Sequence, residues 1–271
     1  MKPRTPGFWL IVATVGLLAL LPMKAVAGMT PEEVKAFESY KTLAEKGDRV
    51  AQYNLGNSYF NGEGVAKNDA HAVLWYRKSA ERGYALAQFN LGNCYASGEG
   101  VAKDQVLAVL CFLKSAEQGY APAQHNLGNS YARGEGVAVD QVLAVSWYRK
   151  AAEQGFTYAQ TNLGFRYFNG NGVAKDQVEG VKWYMNSAHQ GDAVAQFLLG
   201  NCYHEGKGVA KDEVEAYAYW VLAESSNRAA RTEISNLEKR VSGDQIAAGK
   251  KRAKELQKEI DAKIAAKAAG K

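Results

Sequence analysis

At 271 residues and 47% hydrophobic content the chain can bury a sizeable core, which excludes global disorder. Its formal charge of +5 is uneven: Lys2, Arg4 and Lys24 sit at the N-terminus, and residues 228–271 carry twelve Lys/Arg against six Asp/Glu. The stretch between them is mildly acidic and offers no continuous phosphate-tracking surface, so nucleic-acid binding is not expected.

Residues 1–27 read as a secretory signal peptide. Lys2 and Arg4 supply a positive start, Phe8 to Leu21 an apolar run, and Ala25-Val26-Ala27 a small-x-small cleavage pattern, with the cut before Gly28. The run is shorter than the roughly 20 apolar residues needed to span a bilayer, so no membrane span is expected in the mature form. No cysteine follows it until Cys94, which argues against lipid anchoring. A periplasmic or secreted protein is the expectation.

Residues 28–46 are expected to form an N-terminal capping helix. Thr30 is a good N-cap, Pro31 suits the first helical position, and Glu33 completes a capping box. Ala36, Tyr40 and Ala44 then precede Ala72, Tyr76 and Ala80 by one repeat period.

That period is 36 residues. AQYNLGNSYFNGEGVAKN, Ala51 to Asn68, returns at Ala87, Ala123, Ala159 and Ala195 without insertion or deletion. Five units are set at 47–82, 83–118, 119–154, 155–190 and 191–227. Such self-similarity means stacked supersecondary units. Within a unit, Ala51, Leu55 and Tyr59 mark the buried face of a first helix. Asn61-Gly62-Glu63-Gly64 breaks it, and Asn68 caps a second helix carrying Ala72, Trp75, Tyr76 and Ala80; Asp104, Asp140, Asp176 and Asp212 repeat the cap. Gly47, Gly83, Gly119, Gly155 and Gly191 are placed at left-handed ends of the second helices. Gly56 and its four counterparts fall mid-helix, where glycine costs about 0.5–1 kcal/mol, so a bulky Tyr or Trp of the next helix is expected against the backbone there. Tyr59 and its repeats read as packing residues.

The pattern A-Q-x-N-L-G-x-x-Y-x-x-G-x-G-V-A-x-D, followed by A-x-x-W-Y-x-x-A-A-x-x-G, resembles the Sel-one-like repeat, a relative of the tetratricopeptide repeats. The resemblance covers Gly47 to about Ala223 and both flanking caps. It implies an all-α, right-handed superhelical solenoid of helix pairs whose first helices line the concave side, and a protein-interaction scaffold rather than an enzyme. Departures cluster late: Phe165-Arg166 replaces the Asn-Ser/Cys pair, and Leu198 replaces an asparagine.

Residues 228–271 are expected to supply C-terminal capping helices and a basic tail. Ala230, Ile234, Leu237 and Val241 form one stripe. Ser242 to Gln245 is a capping box opening a last helix whose apolar face is Ile246, Ala253, Leu256, Ile260 and Ile264. Ala265 to Lys271 is expected to fray.

Chemistry is sparse. No Ser-x-x-Lys spacing occurs, the Gly-x-Gly loops lack a Walker ending, and His71, His125, His189 and His204 form no His-x-x-x-His pair; no metal or cofactor is expected. Cys94 and Cys111 are the one pair whose positions could bridge, and they equally read as small core residues with Cys202.

One pattern points to binding. Asn54 and Asn57, Asn90 and Asn93, and Asn126 and Asn129 lie three apart on one helix face, while Asn162 and Asn201 keep one member each. Asparagine is a poor interior helix residue, so something offsets its use. An amide, both donor and acceptor, suits gripping an extended peptide. It equally suits bonding that fixes unit spacing, and simple internal duplication would also copy it. The expected function is an exported adaptor with a protein or peptide partner in the cell envelope. An envelope enzyme or binder acting on β-lactams or peptidoglycan fragments, and a secreted host-interaction factor, are the alternatives; oligomeric state is not readable.

Overall fold

A computed structural model describes residues 29–270. The expected signal peptide lies outside the described residues. Thirteen helices and no strand are found among them. A single helix, α1 (Pro31–Glu45), is followed by five pairs: α2 (Arg49–Asn61) with α3 (Asp69–Glu81), α4 (Ala85–Ser97) with α5 (Gln105–Glu117), α6 (Ala121–Arg133) with α7 (Gln141–Glu153), α8 (Thr157–Asn169) with α9 (Gln177–Ala188), and α10 (Ala193–Glu205) with α11 (Glu213–Ala223). The chain closes with α12 (Arg228–Glu238) and α13 (Gly243–Ala268). Each helix packs on its sequence neighbour, apart from α13, which folds back onto α11. The molecule is therefore an α/α solenoid.

The expected caps are in place. Thr30 and Glu33, and Ser242 and Gln245, form reciprocal capping boxes. The side chains of Asn68, Asp104, Asp140, Asp176 and Asp212 each accept from the first turn of a second helix. Helix α13 runs on to Ala268 rather than fraying at Ala265.

Two sets of glycines set the packing. A Cβ at Gly128 would lie 2.7 Å from the Tyr148 ring, and the counterparts of Gly128 meet Tyr76, Phe112, Tyr184 and Trp220 at 2.5–2.7 Å. The expected aromatic partner is present in every pair, with phenylalanine as a third choice beside Tyr and Trp. The loop glycine Gly136 has φ of +75° and abuts the Gln105 carbonyl, which starts the second helix of the preceding pair. Loops are thus seated on the unit before them.

A buried glutamine row runs through the same joints. Gln52, Gln88, Gln124, Gln160 and Gln196 are 4–6% exposed, and each donates its amide to the carbonyl of an alanine in the last turn of the preceding helix, at 3.1–3.2 Å. Gln118, Gln154 and Gln190 in turn donate at 2.7 Å to Gln88, Gln124 and Gln160. Arg82 occupies that donor position in the first pair, and the buried Oε1 of Gln52 has no partner there. A buried acceptor without a donor costs about 1–3 kcal/mol. Arg82→Gln is therefore expected to stabilise the chain by about 1 kcal/mol, read as a raised urea midpoint; an unchanged or lowered midpoint would show that Gln52 is already served by water.

Candidate functional site

The asparagines are half-buried along one stripe of the first helices, and the structure joins them across units. Asn90 Nδ2 donates to Asn57 Oδ1, Asn126 to Asn93, and Asn162 to Asn129, at 3.3–3.4 Å. Three of the four second-row oxygens, all but that of Asn93, receive a donor from within their own pair. Tyr76 hydroxyl reaches Asn57 at 2.8 Å, Tyr148 reaches Asn129 at 2.7 Å, and Trp220 Nε1 reaches Asn201 at 2.9 Å. Burial pushes the Tyr76 and Tyr148 phenols above their ordinary range, so they act as neutral donors. Asn54 opens the first row among the described residues.

The two late departures belong to one rung. Phe165 and Leu198 are 33 residues apart, the spacing of every Asn–Asn pair, so both positions of this rung carry apolar residues in place of amides. A second exchange accompanies it. Tyr53 packs edge-on against Tyr84 and Phe89 against Tyr120, with His125 tilted on Phe156. At the fourth joint the same positions are Thr161 and Asp192, hydrogen-bonded to each other and to Ser187. Ser187 is fully buried, so this Ser-Thr-Asp group presents no nucleophile to solvent. Arg166 takes the place of the small buried Ser58, Cys94, Ser130 and Cys202, and reaches back to Gln141 Oε1 and over the Tyr148 ring.

His125 is half-buried rather than a ligand in waiting. Nδ1 meets Asn126 Oδ1 at 3.3 Å and Nε2 meets Asn162 Nδ2 at 3.0 Å, while burial lowers its pKa, so the neutral ring bridges two rungs. The three thiols are free; burial pushes Cys94 and Cys111 up to about 11 and Cys202 to about 12, which keeps them protonated at neutral pH. Among the described residues no cluster of three or more His, Cys, Asp or Glu could hold a metal.

Between the first two pairs the asparagine face opens into a groove of about 250 Å³, lined by Asn57, Phe60, Asn61, Tyr76, Asn90 and Asn93. Sequence reasoning found these asparagines from their spacing. It missed the glutamine row and the shared rung of Phe165 and Leu198. The signal for the first was a glutamine repeated in all five copies beside a core alanine. For the second it was two substitutions separated by one rung.

Helix pairs recurring every 36 residues, stacked through repeated joints with an amide-bearing face, define a repeat solenoid. The Sel1 repeat pattern matches residues 49–84, 85–120, 121–156, 157–192 and 193–227, two residues later than a frame opened at Gly47, and the chain belongs to the Sel1 repeat family. Among solved structures it is similar to c5321, a protective antigen present in uropathogenic Escherichia coli strains and displaying an SLR fold. Identity is 35% and the TM-score 0.73, over 82% of this chain and 49% of that one. The chain thus spans about half the length of that antigen. It is also similar to a Sel1 repeat protein from Oxalobacter formigenes, with 30% identity and a TM-score of 0.70 over 85% of this chain and 97% of that one. A search of curated protein sequences gives no match.

Proposed function

We propose that the chain is an exported, non-catalytic scaffold that holds an extended segment of a protein partner in the cell envelope along the asparagine rows of its concave face. One observation carries this reading: the rungs consume only part of each amide. Asn57 Oδ1 and Asn129 Oδ1 are each occupied twice, yet the Nδ2 groups of both, and Asn90 Oδ1, find no partner among the described residues. Neighbouring units therefore offer leftover donors and acceptors, which is what a peptide main chain requires. Rungs that fix the spacing would also pre-organise the surface, lowering the entropy cost of binding. Export rests on residues 1–27. The likeness to a protective antigen is consistent with a surface or envelope role.

The test uses the chain's own apolar rung. Asn93→Phe with Asn126→Leu copies the Phe165 and Leu198 residues into the same positions of an earlier joint, where Phe112 has no hydroxyl to be orphaned. Residues 28–271 and this variant serve as baits in envelope fractions, read by mass spectrometry, with folding checked by circular dichroism. The expected result is a partner captured by the parent and lost by the folded variant. Equal capture by both would remove the asparagine rows from the binding face.

A further inference from the structure

The second helices present a different face to solvent. On α5 it carries Val106, Leu107 and Leu110, exposed at 57%, 38% and 48%, and on α7 Val142 and Leu143, at 67% and 41%. Leu74 on α3, Val139 before α7, and Val178 on α9 extend the band. Single exposed aliphatics need no explanation, but a band crossing successive helices does. One turn further along the same stripes stand Lys78, Lys114 and Lys150, all exposed.

The fifth copy of this stripe is not exposed. In α11 it reads Val214, Glu215, Ala218 and Leu222, and α13 lies over it. Ala218 has 0% exposure, where Leu110, three units earlier in the same position, has 48%. Helix α13 sets down the buried Ala253, Leu256 and Ile260, and Arg252 pairs with Glu215 at 2.7 Å. It then crosses to the end of α9, where Lys263 meets His189 and Lys267 meets Gln190. The chain thus demonstrates once, in cis, that this face receives an amphipathic helix; on α9, between that interface and α7, the stripe turns polar, with Val178 followed by the Glu179–Lys182 ion pair.

We propose that the outer stripes of α5 and α7 dock one amphipathic α-helix of a partner protein, aliphatic on one face and acidic along its flank. The charge of the occupant follows from position. Where α11 has Glu215, which selects a cation, α5 and α7 have Leu107 and Leu143; where α11 has Leu222, they have Lys114 and Lys150. The occupant is therefore more apolar than α13 at the first place and anionic at the second. A second copy's α13 fits poorly, because the edges of its buried face carry Lys250, Arg252 and Lys263 against the single Glu259, and so bring net positive charge toward Lys114 and Lys150. This face is separate from the asparagine rows, so the two readings stand or fall independently.

The experiment measures binding of residues 28–271 to three labelled helical peptides of about five turns. The first has a Leu/Ile face and Glu flanks, the second the same face with Lys flanks, and the third Glu flanks with a scrambled face. The Glu-flanked peptide is expected to bind at least roughly tenfold tighter than either other. Leu110→Ser with Val142→Ser is expected to abolish that preference, and Lys114→Glu with Lys150→Glu to transfer it to the Lys-flanked peptide. These side chains are exposed, so folding is not at stake. Indifference to the scrambled face, or no binding by the Glu-flanked peptide, overturns the proposal. So does self-association, or pelleting with phosphatidylglycerol vesicles, that is lost in the Ser variant, which would assign the band to a second copy or to a lipid surface.

Discussion

Gly136→Ala is expected to lower stability by about 3 kcal/mol. Two costs combine. At φ of +75° an L-residue sits in the left-handed region, which costs roughly 1–2 kcal/mol. The new Cβ would also fall 2.1 Å from the Gln105 carbonyl oxygen, and backbone at both sides cannot swing away as a side chain would. Overpacking of that kind adds about 1–3 kcal/mol. Gly155→Ala separates the two, because Gly155 has φ of +80° and an added methyl there would meet nothing within 4 Å. It is expected to show the conformational cost alone, about 1 kcal/mol. Urea unfolding followed by circular dichroism measures both. Since the collision lies at one joint of a stack held by nearest-neighbour contacts, the Gly136 variant is also expected to unfold over a broader range of denaturant. Equal losses in the two variants would mean that the loop does not seat on the preceding unit.

Gln124→Ala is expected to cost about 2–3 kcal/mol, large for a polar residue. Gln124 is 5% exposed, donates to Ala116 O at 3.1 Å, and accepts from Gln154 at 2.7 Å. Two hydrogen bonds worth about 0.5–1.5 kcal/mol each are lost, and truncation leaves a void in a packed joint. Gln154→Ala removes the second bond and an exposed one to the Lys150 carbonyl, from a residue at the surface, and is expected to cost about 1 kcal/mol. A Gln124 variant no weaker than the Gln154 variant would reduce the row to a passive feature of the repeat.

Most of the fold is legible in residues close together in sequence. The period, the aspartate caps, the left-handed glycines and the capping boxes at Thr30 and Ser242 each follow from local chemistry. Gly128 goes further: an expensive glycine repeated mid-helix implied a large neighbour, and Tyr148 is that neighbour. The joints were harder to read. Gln124 on Ala116 and Asn126 on Asn93 connect different units, and in near-identical copies every such pair looks equally paired with its own unit or the next. Only where two positions of one joint depart together, as at Phe165 and Leu198, does sequence hint at which positions answer each other. The path of α13 was hidden for another reason. Ala253, Leu256 and Ile260 specify an apolar face but not the surface that will cover it.

A chain built from near-copies faces a problem of address, since one unit can settle on the wrong neighbour while folding and remain there. The first three joints are interchangeable in this respect: each offers an amide rung and an aromatic or His contact to whichever copy arrives. The fourth is keyed. If the third pair stacked directly on α10, Asn129 would meet Leu198 and His125 would meet Asp192, in place of the Asn162 and Phe156 that answer them in the native order. The changes at Phe165 and Leu198 and the Thr161–Asp192 exchange therefore give the array a sense of direction, fixing which pair the fifth pair follows.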